Sequence, residues 1–344
     1  MTRLEQLQSG LEEPLLVTSL VNLRYLTGFE SSNAALLVEP DRVRLFTDFR
    51  YATAARAVEG VEPVMIGRNL LAGLARELAG RVGFEPDAVT FTGYEALREG
   101  GLELVPLRGA VERLRAVKDR EEVERIRAAA AISDRVYERL ADERFTGRTE
   151  REFAWRVVEL LHEEGANEPG FDAIVAAGPT GAMPHAHPGD RRIGPGETVV
   201  IDIGARLDAY TSDCTRTFAV GGLEGTLAEA YLVCLEAQVA ALDNVRPGVS
   251  GRDADAVARR IIDGTAFEGR FGHGLGHGVG MEVHEAPTLR PESEDVLEAG
   301  NVVTVEPGIY LEGEGGIRIE DLVLVTEGGP EVLTSFPKEL TTVR

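Results

Sequence analysis

The sequence predicts two domains, a smaller α/β domain over residues 1–118 and a larger α+β domain over residues 119–344. Three observations predict this. The chain has 344 residues, enough for about two domains. Its texture changes around RGAVERLRAVKD (108–119), from short β-rich runs with one helical stretch to long amphipathic helices. Beyond that junction a helix pair and a hairpin are followed by another helix pair and hairpin, a pattern of internal duplication with a period of roughly 100–110 residues.

In the first domain, VRLFTDF (43–49) is β-rich and follows the turn-like EPD, and SSNAALLVEP before it reads as its hairpin partner. Residues 67–80 read as a helix, and GRVGFEPDAVTF then returns to short strands. In the second domain, Asp119 can cap a helix running to about Leu140, with Val123, Ile126, Ala130, Tyr137 and Leu140 on one face. Thr149 and Glu152 form a capping box before a second helix carrying Phe153, Val157, Leu160 and Leu161. FDAIVAAG and TVVIDIGARLDAYTSDCTRTFAV read as strands, 225–243 and 252–263 as helices, and NVVTVEPGIYLEGEGGIRIEDLVLVT as strands again.

Composition narrows the function classes. At 43% hydrophobic and 27% charged residues the chain is an ordinary globular protein. Its net charge of −22 disfavours phosphate-backbone binding, so nucleic acid is not an expected partner. No run reads as the 18 or more apolar residues of a membrane span, and MTRLEQLQSGLEEP lacks the apolar core of a signal peptide. Two cysteines, Cys214 and Cys234, fit a reducing cytoplasm rather than a disulfide framework.

The chemistry concentrates in three stretches. Asp202 lies within the apolar run TVVIDIG, where a carboxylate is costly without a partner. A turn centred on Leu207-Asp208 would place Asp213 directly opposite it, with Cβ atoms about 5 Å apart. In the last hairpin, a turn centred on Gly313 would set Glu306 opposite Glu320, with Arg318 on the same face as Glu320. Between the hairpins lies HGLGHGVGMEVHEAP (273–287), with His273, His277 and His284 at helical spacing. Yet glycine occupies every second position from Gly272 to Gly280, and each interior glycine costs a helix roughly 1 kcal/mol. The glycines instead let backbone pass close to a metal site. Four carboxylates and a histidine make a site for one or two divalent ions. A single buried aspartate is more often a hydrogen-bond partner than a ligand; the joint pattern of two mirrored hairpins and a histidine cluster favours the metal.

The order Asp202, Asp213, His277, Glu306, Glu320, within VIDIGA, SDCTRTF, HGVGMEVHEAP, TVEPGIY and GIRIED, resembles the pita-bread metallopeptidases: methionine aminopeptidases, aminopeptidase P and prolidase. The likeness covers about residues 120–344 strongly, and the histidine motif with PH after GPTGAM resembles the Xaa-Pro branch. YLTGF and TDFRY more loosely resemble that branch's extra N-terminal domain. The resemblance implies a pita-bread catalytic domain, two divalent ions (Mn²⁺, with Zn²⁺ or Co²⁺ as alternatives), a peptide substrate with proline second, and a homodimer. It implies that Asp202 binds one metal, His277 and Glu306 the other, and Asp213 and Glu320 both. A water or hydroxide between the metals would be the nucleophile, with Glu306 its general base. His284 and His185 would flank the scissile bond, one of them at the carbonyl oxygen and the other on the proline side. His273 would shape the proline pocket, and Arg318 would orient a bridging carboxylate or the substrate's carboxylate.

Other residues read as bystanders. His187 and His162 read as surface residues and Cys214 as core. Arg50 either packs structurally or reaches over a partner's active site to read a substrate end. The expected activity is Xaa-Pro dipeptidase, with an aminopeptidase for longer peptides as the alternative. Two further readings are weaker. Creatinase-like amidinohydrolases share the fold without needing the metal, and pita-bread domains that only bind protein or RNA have usually lost ligands; here all five positions are filled.

Overall fold

The computed structural model describes all 344 residues, which form two compact units, Met1–Arg115 and Ala116–Arg344. The first unit is built on a six-stranded sheet in the order Glu62–Met65, Val43–Thr47, Ala34–Val38, Leu15–Val17, Gly80–Phe84, Leu102–Pro106. The hairpin read from the sequence is present: Ala34 pairs with Thr47 and Val38 with Val43. Leu16, Leu37, Phe46, Val82 and Leu102 from the sheet pack with Leu74 and Leu97 from its helices. The helix expected over 67–80 spans Leu70–Glu77, with Asn69 accepting from the Ala72 amide. One expectation fails. The end of GRVGFEPDAVTF is not a strand, because the Thr90 hydroxyl accepts from the Gly93 amide and starts the helix Phe91–Glu99. A cap satisfies an otherwise orphaned amide, and here it overrides the β preference of Val89-Thr90-Phe91.

The second unit has two cores that follow the repeated pattern. In the first, the helix Arg120–Ala141 starts at an Asp119–Glu122 capping box and buries Val123, Ile126, Ala130, Tyr137 and Leu140. The helix Glu150–Glu163 starts at the Thr149–Glu152 box. Both pack on a four-stranded sheet formed by Ile174–Ala177, Thr198–Ile203, Cys214–Val220 and Thr341–Val343. Tyr137 Oη lies 2.8 Å from the carbonyls of both Ile201 and Cys214, tying the long helix to both arms of the hairpin that carries Asp202 and Asp213. In the second core, the helices Gly225–Asp243 and Gly251–Asp263 cover the strands Val302–Val305 and Asp321–Thr326.

Gly225–Asp243 is long and apolar enough, by length and composition alone, to cross a membrane, although Glu229 and Glu236 interrupt it and leave no run of 18 apolar residues. Frequent alanine raises its hydropathy, and Ala230, Cys234, Ala237 and Ala241 of its inner face are packed in the second core.

Register places the chemistry. In the first hairpin Asp202 lies opposite Thr215, not opposite Asp213. The turn is centred on Asp208-Ala209 rather than Leu207-Asp208, with φ values of 47° and 74°. Both central residues at positive φ is the geometry that suits a two-residue hairpin loop, and alanine rarely adopts it, so the sequence hides the turn. Asp213 is therefore a diagonal neighbour of Asp202 on the same face, still within side-chain reach. In the second hairpin the turn does fall at Gly313, and Gly308 pairs with Arg318 while Val305 pairs with Asp321. Glu306 and Glu320 sit opposite each other where the hairpin passes from one sheet into the next. The first hairpin breaks similarly beside its carboxylates. At that break a Cβ on Gly204 would lie 2.2 Å from the Ser212 carbonyl oxygen, so only glycine fits.

Candidate metal centre

Ligand atoms of Asp202, Asp213 and Glu320 all lie within 4.8 Å of one another. His277 Nε2 is 3.2 Å from Glu306 Oε1 and 3.6 Å from Asp213 Oδ2. The five residues nominated from the sequence therefore meet at one place, contributed by both hairpins and the glycine-rich segment. That segment is not a helix. Gly276–Gly278 is a short strand packed so tightly that a Cβ on Gly276 would come within 2.1 Å of the Thr304 carbonyl oxygen. The alternating glycines let this strand lie between its neighbours and deliver His277 to the carboxylates.

The electrostatics are those of a site that wants cations. Burial, then the charge of Glu320, pushes Asp213 well above the usual carboxylate range. Burial, then the charges of Glu306 and Asp202, does the same to Glu320. Burial also raises Asp202, against the pull of Arg318. Asp202 Oδ1 and Glu320 Oε1 are buried without a hydrogen-bond partner, an arrangement that costs free energy unless something positive lies against them. Burial opposes ionisation of Glu306, but the hydrogen bond and charge of His277 outweigh it and hold Glu306 down at about 2. His277 Nδ1 lies 3.1 Å from the Gly278 carbonyl oxygen, so that nitrogen carries a proton and Nε2 is the one presented to the carboxylates. Four carboxylates, two with orphaned oxygens, and one imidazole nitrogen are a donor set suited to divalent ions of hard to borderline character.

Thr215 and Thr304, which the sequence did not single out, bond to these candidate ligands. Thr215 Oγ1 donates to Glu320 Oε2 at 2.7 Å and accepts from Arg318 Nε at 3.1 Å. Thr304 Oγ1 donates to Glu306 Oε1 at 3.0 Å and accepts from the His277 amide at 3.1 Å. Arg318 is buried and contacts Asp202 Oδ2 directly at 2.7 Å, reaching Glu320 only through Thr215. It also donates to Tyr310 Oη at 3.1 Å, which in turn lies 2.7 Å from His273 Nε2. His273 Nδ1 faces the Gly274 carbonyl, so Tyr310 donates to Nε2 and the chain runs Arg318 to Tyr310 to His273. Behind the hairpins, Arg216 and Asp321 form a buried pair at 2.9 Å, joined by Lys338, Gln238 and Thr334. The signal for Thr215 and Tyr310 was only their place two and four residues beyond a ligand.

The remaining nominated residues sort by exposure. The His284 ring lies 4.4 Å from that of His277, centroid to centroid, and is exposed. Partial desolvation, then the His277 charge, lowers its pKa below the usual histidine value. His185 and His187 are exposed on the loop after Ile174–Ala177, and His162 is exposed on its helix. Cys214 is fully buried. Arg50, in the first unit, is bound to Asp48 through two contacts, at 2.9 and 2.7 Å.

Comparison with known proteins gives matches over both units. A family model described as metallopeptidase family M24 matches residues 124–327, and one described as the creatinase/prolidase N-terminal domain matches residues 3–117. A Xaa-Pro dipeptidase of Pyrococcus furiosus is 43% identical over 230 residues, covering 67% of this chain and 66% of that protein. The structure of a Xaa-Pro dipeptidase from Bacillus anthracis superposes with a TM-score of 0.95 at 37% identity, covering 99% of both chains. That of an X-Pro aminopeptidase from Thermotoga maritima superposes with a TM-score of 0.89 at 32% identity, covering 99% of this chain and 100% of that one.

Proposed function

This chain belongs to metallopeptidase family M24, and from that premise we propose that it hydrolyses the peptide bond before proline, with Xaa-Pro dipeptides as its preferred substrates. The observation that carries the reading is the convergence of Asp202, Asp213, His277, Glu306 and Glu320, with orphaned carboxylate oxygens facing one another. Asp202 would help to hold one ion, His277 and Glu306 the other, and Asp213 and Glu320 would serve both. Mn²⁺ is the preferred metal on oxygen-rich ligation. Two such ions would lower the pKa of a water and polarise the scissile carbonyl.

The chain's own residues supply the rest. Glu306, whose carboxylate lies beside His277 Nε2 at the centre, would accept the proton of the attacking water. His284 and His185, both exposed, are free to meet substrate from opposite sides of the scissile bond. One hydrogen-bonds the carbonyl oxygen as charge develops, and the other assists the leaving proline nitrogen. His273, oriented by Tyr310, walls the proline ring. Arg318 is committed to Asp202, Tyr310 and Thr215, which favours a ligand-orienting role over pairing with the substrate. Of the two arginines, Arg50 is then the candidate for the substrate carboxylate, reaching over a partner's active site in exchange for Asp48. The protein works in the cytoplasm as a homodimer.

The second reading, an aminopeptidase acting on longer peptides, is favoured by the likeness to the Thermotoga maritima X-Pro aminopeptidase. Kinetics on Ala-Pro, Ala-Pro-Ala and C-terminally amidated Ala-Pro separate the two. A dipeptidase loses about 10- to 150-fold in kcat/KM when the free carboxylate is removed, the value of one charge-assisted hydrogen bond. A tripeptide cleaved as fast as the dipeptide would establish the aminopeptidase.

A further inference from the structure

The loop that carries His185 leaves its strand after Ala177 and returns to the helix start at Gly189. Both ends are held by one side chain outside it. Glu150 is 1% exposed, at the first turn of the helix Glu150–Glu163. Its Oε1 accepts from the Ala177 amide at 2.9 Å and from the Thr180 hydroxyl, and its Oε2 accepts from the Gly189 amide at 3.0 Å. The backbone reinforces the exit, where the Glu150 amide donates to the Arg191 carbonyl and the Arg151 amide to the Gly189 carbonyl, each at 3.0 Å. Nothing comparable in the backbone fixes the entry to the exit; the two oxygens of Glu150 do that.

The far side of the loop is tied to the metal centre. Arg318 Nη1 donates to the Pro184 carbonyl at 3.1 Å, and its Nη2 contacts Asp202 at 2.7 Å. At the loop's start, Gly181 packs against Gly316, where a Cβ on Gly316 would lie 1.9 Å from the Gly181 carbonyl oxygen. His185 follows Pro184 immediately, so its exposed ring is placed by what holds the loop on each side. We propose that Glu150 is a positioning residue for His185: it fixes both ends of the loop so that the imidazole stays at the distance from the metal centre that the reaction needs. This rests on the reading of His185 as a substrate-contacting group.

The chemistry requires a carboxylate. An amide at 150 has one acceptor oxygen, so it can satisfy one end of the loop while its NH₂ faces an N–H donor at the other. The loop then gains freedom without losing its covering or its helix. A misplacement of about 1 Å in a reacting group can cost roughly 100-fold, so Glu150→Gln should lower kcat by about 10- to 100-fold.

The experiment is a double-mutant cycle on the metal-loaded enzyme with Glu150→Gln and His185→Ala, reading kcat and KM on Ala-Pro and metal content per chain. Each single variant is expected to lower kcat with metal content unchanged, and the double variant to be no slower than His185→Ala alone. Losses that multiply, or a Glu150→Gln enzyme as fast as the unaltered one, overturn the inference and leave the His185 reading intact. A His185→Ala enzyme with unaltered kcat overturns the His185 reading, and the inference with it. If Glu150→Gln does not fold, Thr180→Val, which releases only the entry hydroxyl, takes its place in the same cycle with the same outcomes.

Discussion

The rings of His277 and His284 lie 4.4 Å apart, edge to face at 65°, yet only His277 reaches the carboxylates. Seven residues of a glycine-rich segment thus bring two histidines together and give them different surroundings. His277→Ala should lower metal occupancy. His284→Ala should keep occupancy and lower kcat by roughly 100-fold or more, the scale of losing one oxyanion donor. Metal analysis alongside kinetics on both variants checks this, and equal metal loss in the two would contradict the division.

Thr215 serves both the Arg318 guanidinium and the Glu320 carboxylate through one hydroxyl. Thr215→Val keeps the shape and removes the hydroxyl, leaving a second Glu320 oxygen without its partner. Metal affinity should fall about 10- to 100-fold, as for other residues that orient ligands. Competition with a chelator of known affinity reads it directly, and unchanged affinity would show that Thr215 does not support the site.

How much of this was legible in the sequence depends on what each residue advertises. Asp202, Glu306 and Glu320 stand out because charge is rare in apolar strands. The register of the second hairpin was legible because Gly313 marks its turn, whereas Ala209, at a φ of 74°, concealed that of the first. Thr215 and Tyr310 look like ordinary strand residues, and only the fold brings them to Glu320 and His273. Glu150 follows a capping threonine, where an acidic residue is expected on helix grounds alone. Its hold on residues 177 and 189 exists only after folding.

The buried pair Arg216–Asp321 lies behind the candidate ligand Glu320, with side chains 3% and 1% exposed. Asp321→Asn would leave Arg216 enclosed without its counter-charge, and breaking such a pair typically costs about 3–5 kcal/mol. Denaturant unfolding should show a loss of that size. A change below about 1 kcal/mol would mean that the carbonyls of Phe336 and Pro337, which Arg216 also meets, suffice to hold it.

Arg50 tests two roles at once. Its contact holds the Asp48 carboxyl well below the usual range. A depressed carboxylate contributes stability that is present above its unfolded-state pKa, about 3.9, and is lost as pH falls through the folded-state value. Arg50→Ala should therefore be less stable than the unaltered protein at neutral pH, and the gap should close in strong acid. If Arg50 also reads the substrate carboxylate, the same variant loses its preference for Ala-Pro over amidated Ala-Pro while metal content stays constant. A retained preference would assign Arg50 to structure alone.

Asp202, Asp213, His277, Glu306 and Glu320 together are proposed to work as a metal centre for Xaa-Pro hydrolysis. The most direct measurement is divalent-metal content per chain together with the rate of Ala-Pro hydrolysis, before and after dialysis against chelator and after Mn²⁺ is returned. Up to two ions per chain are expected at the start, with loss of ions and activity together and recovery of both. A chelator-dialysed protein that holds no metal and still cleaves Ala-Pro at its original rate would contradict that proposal.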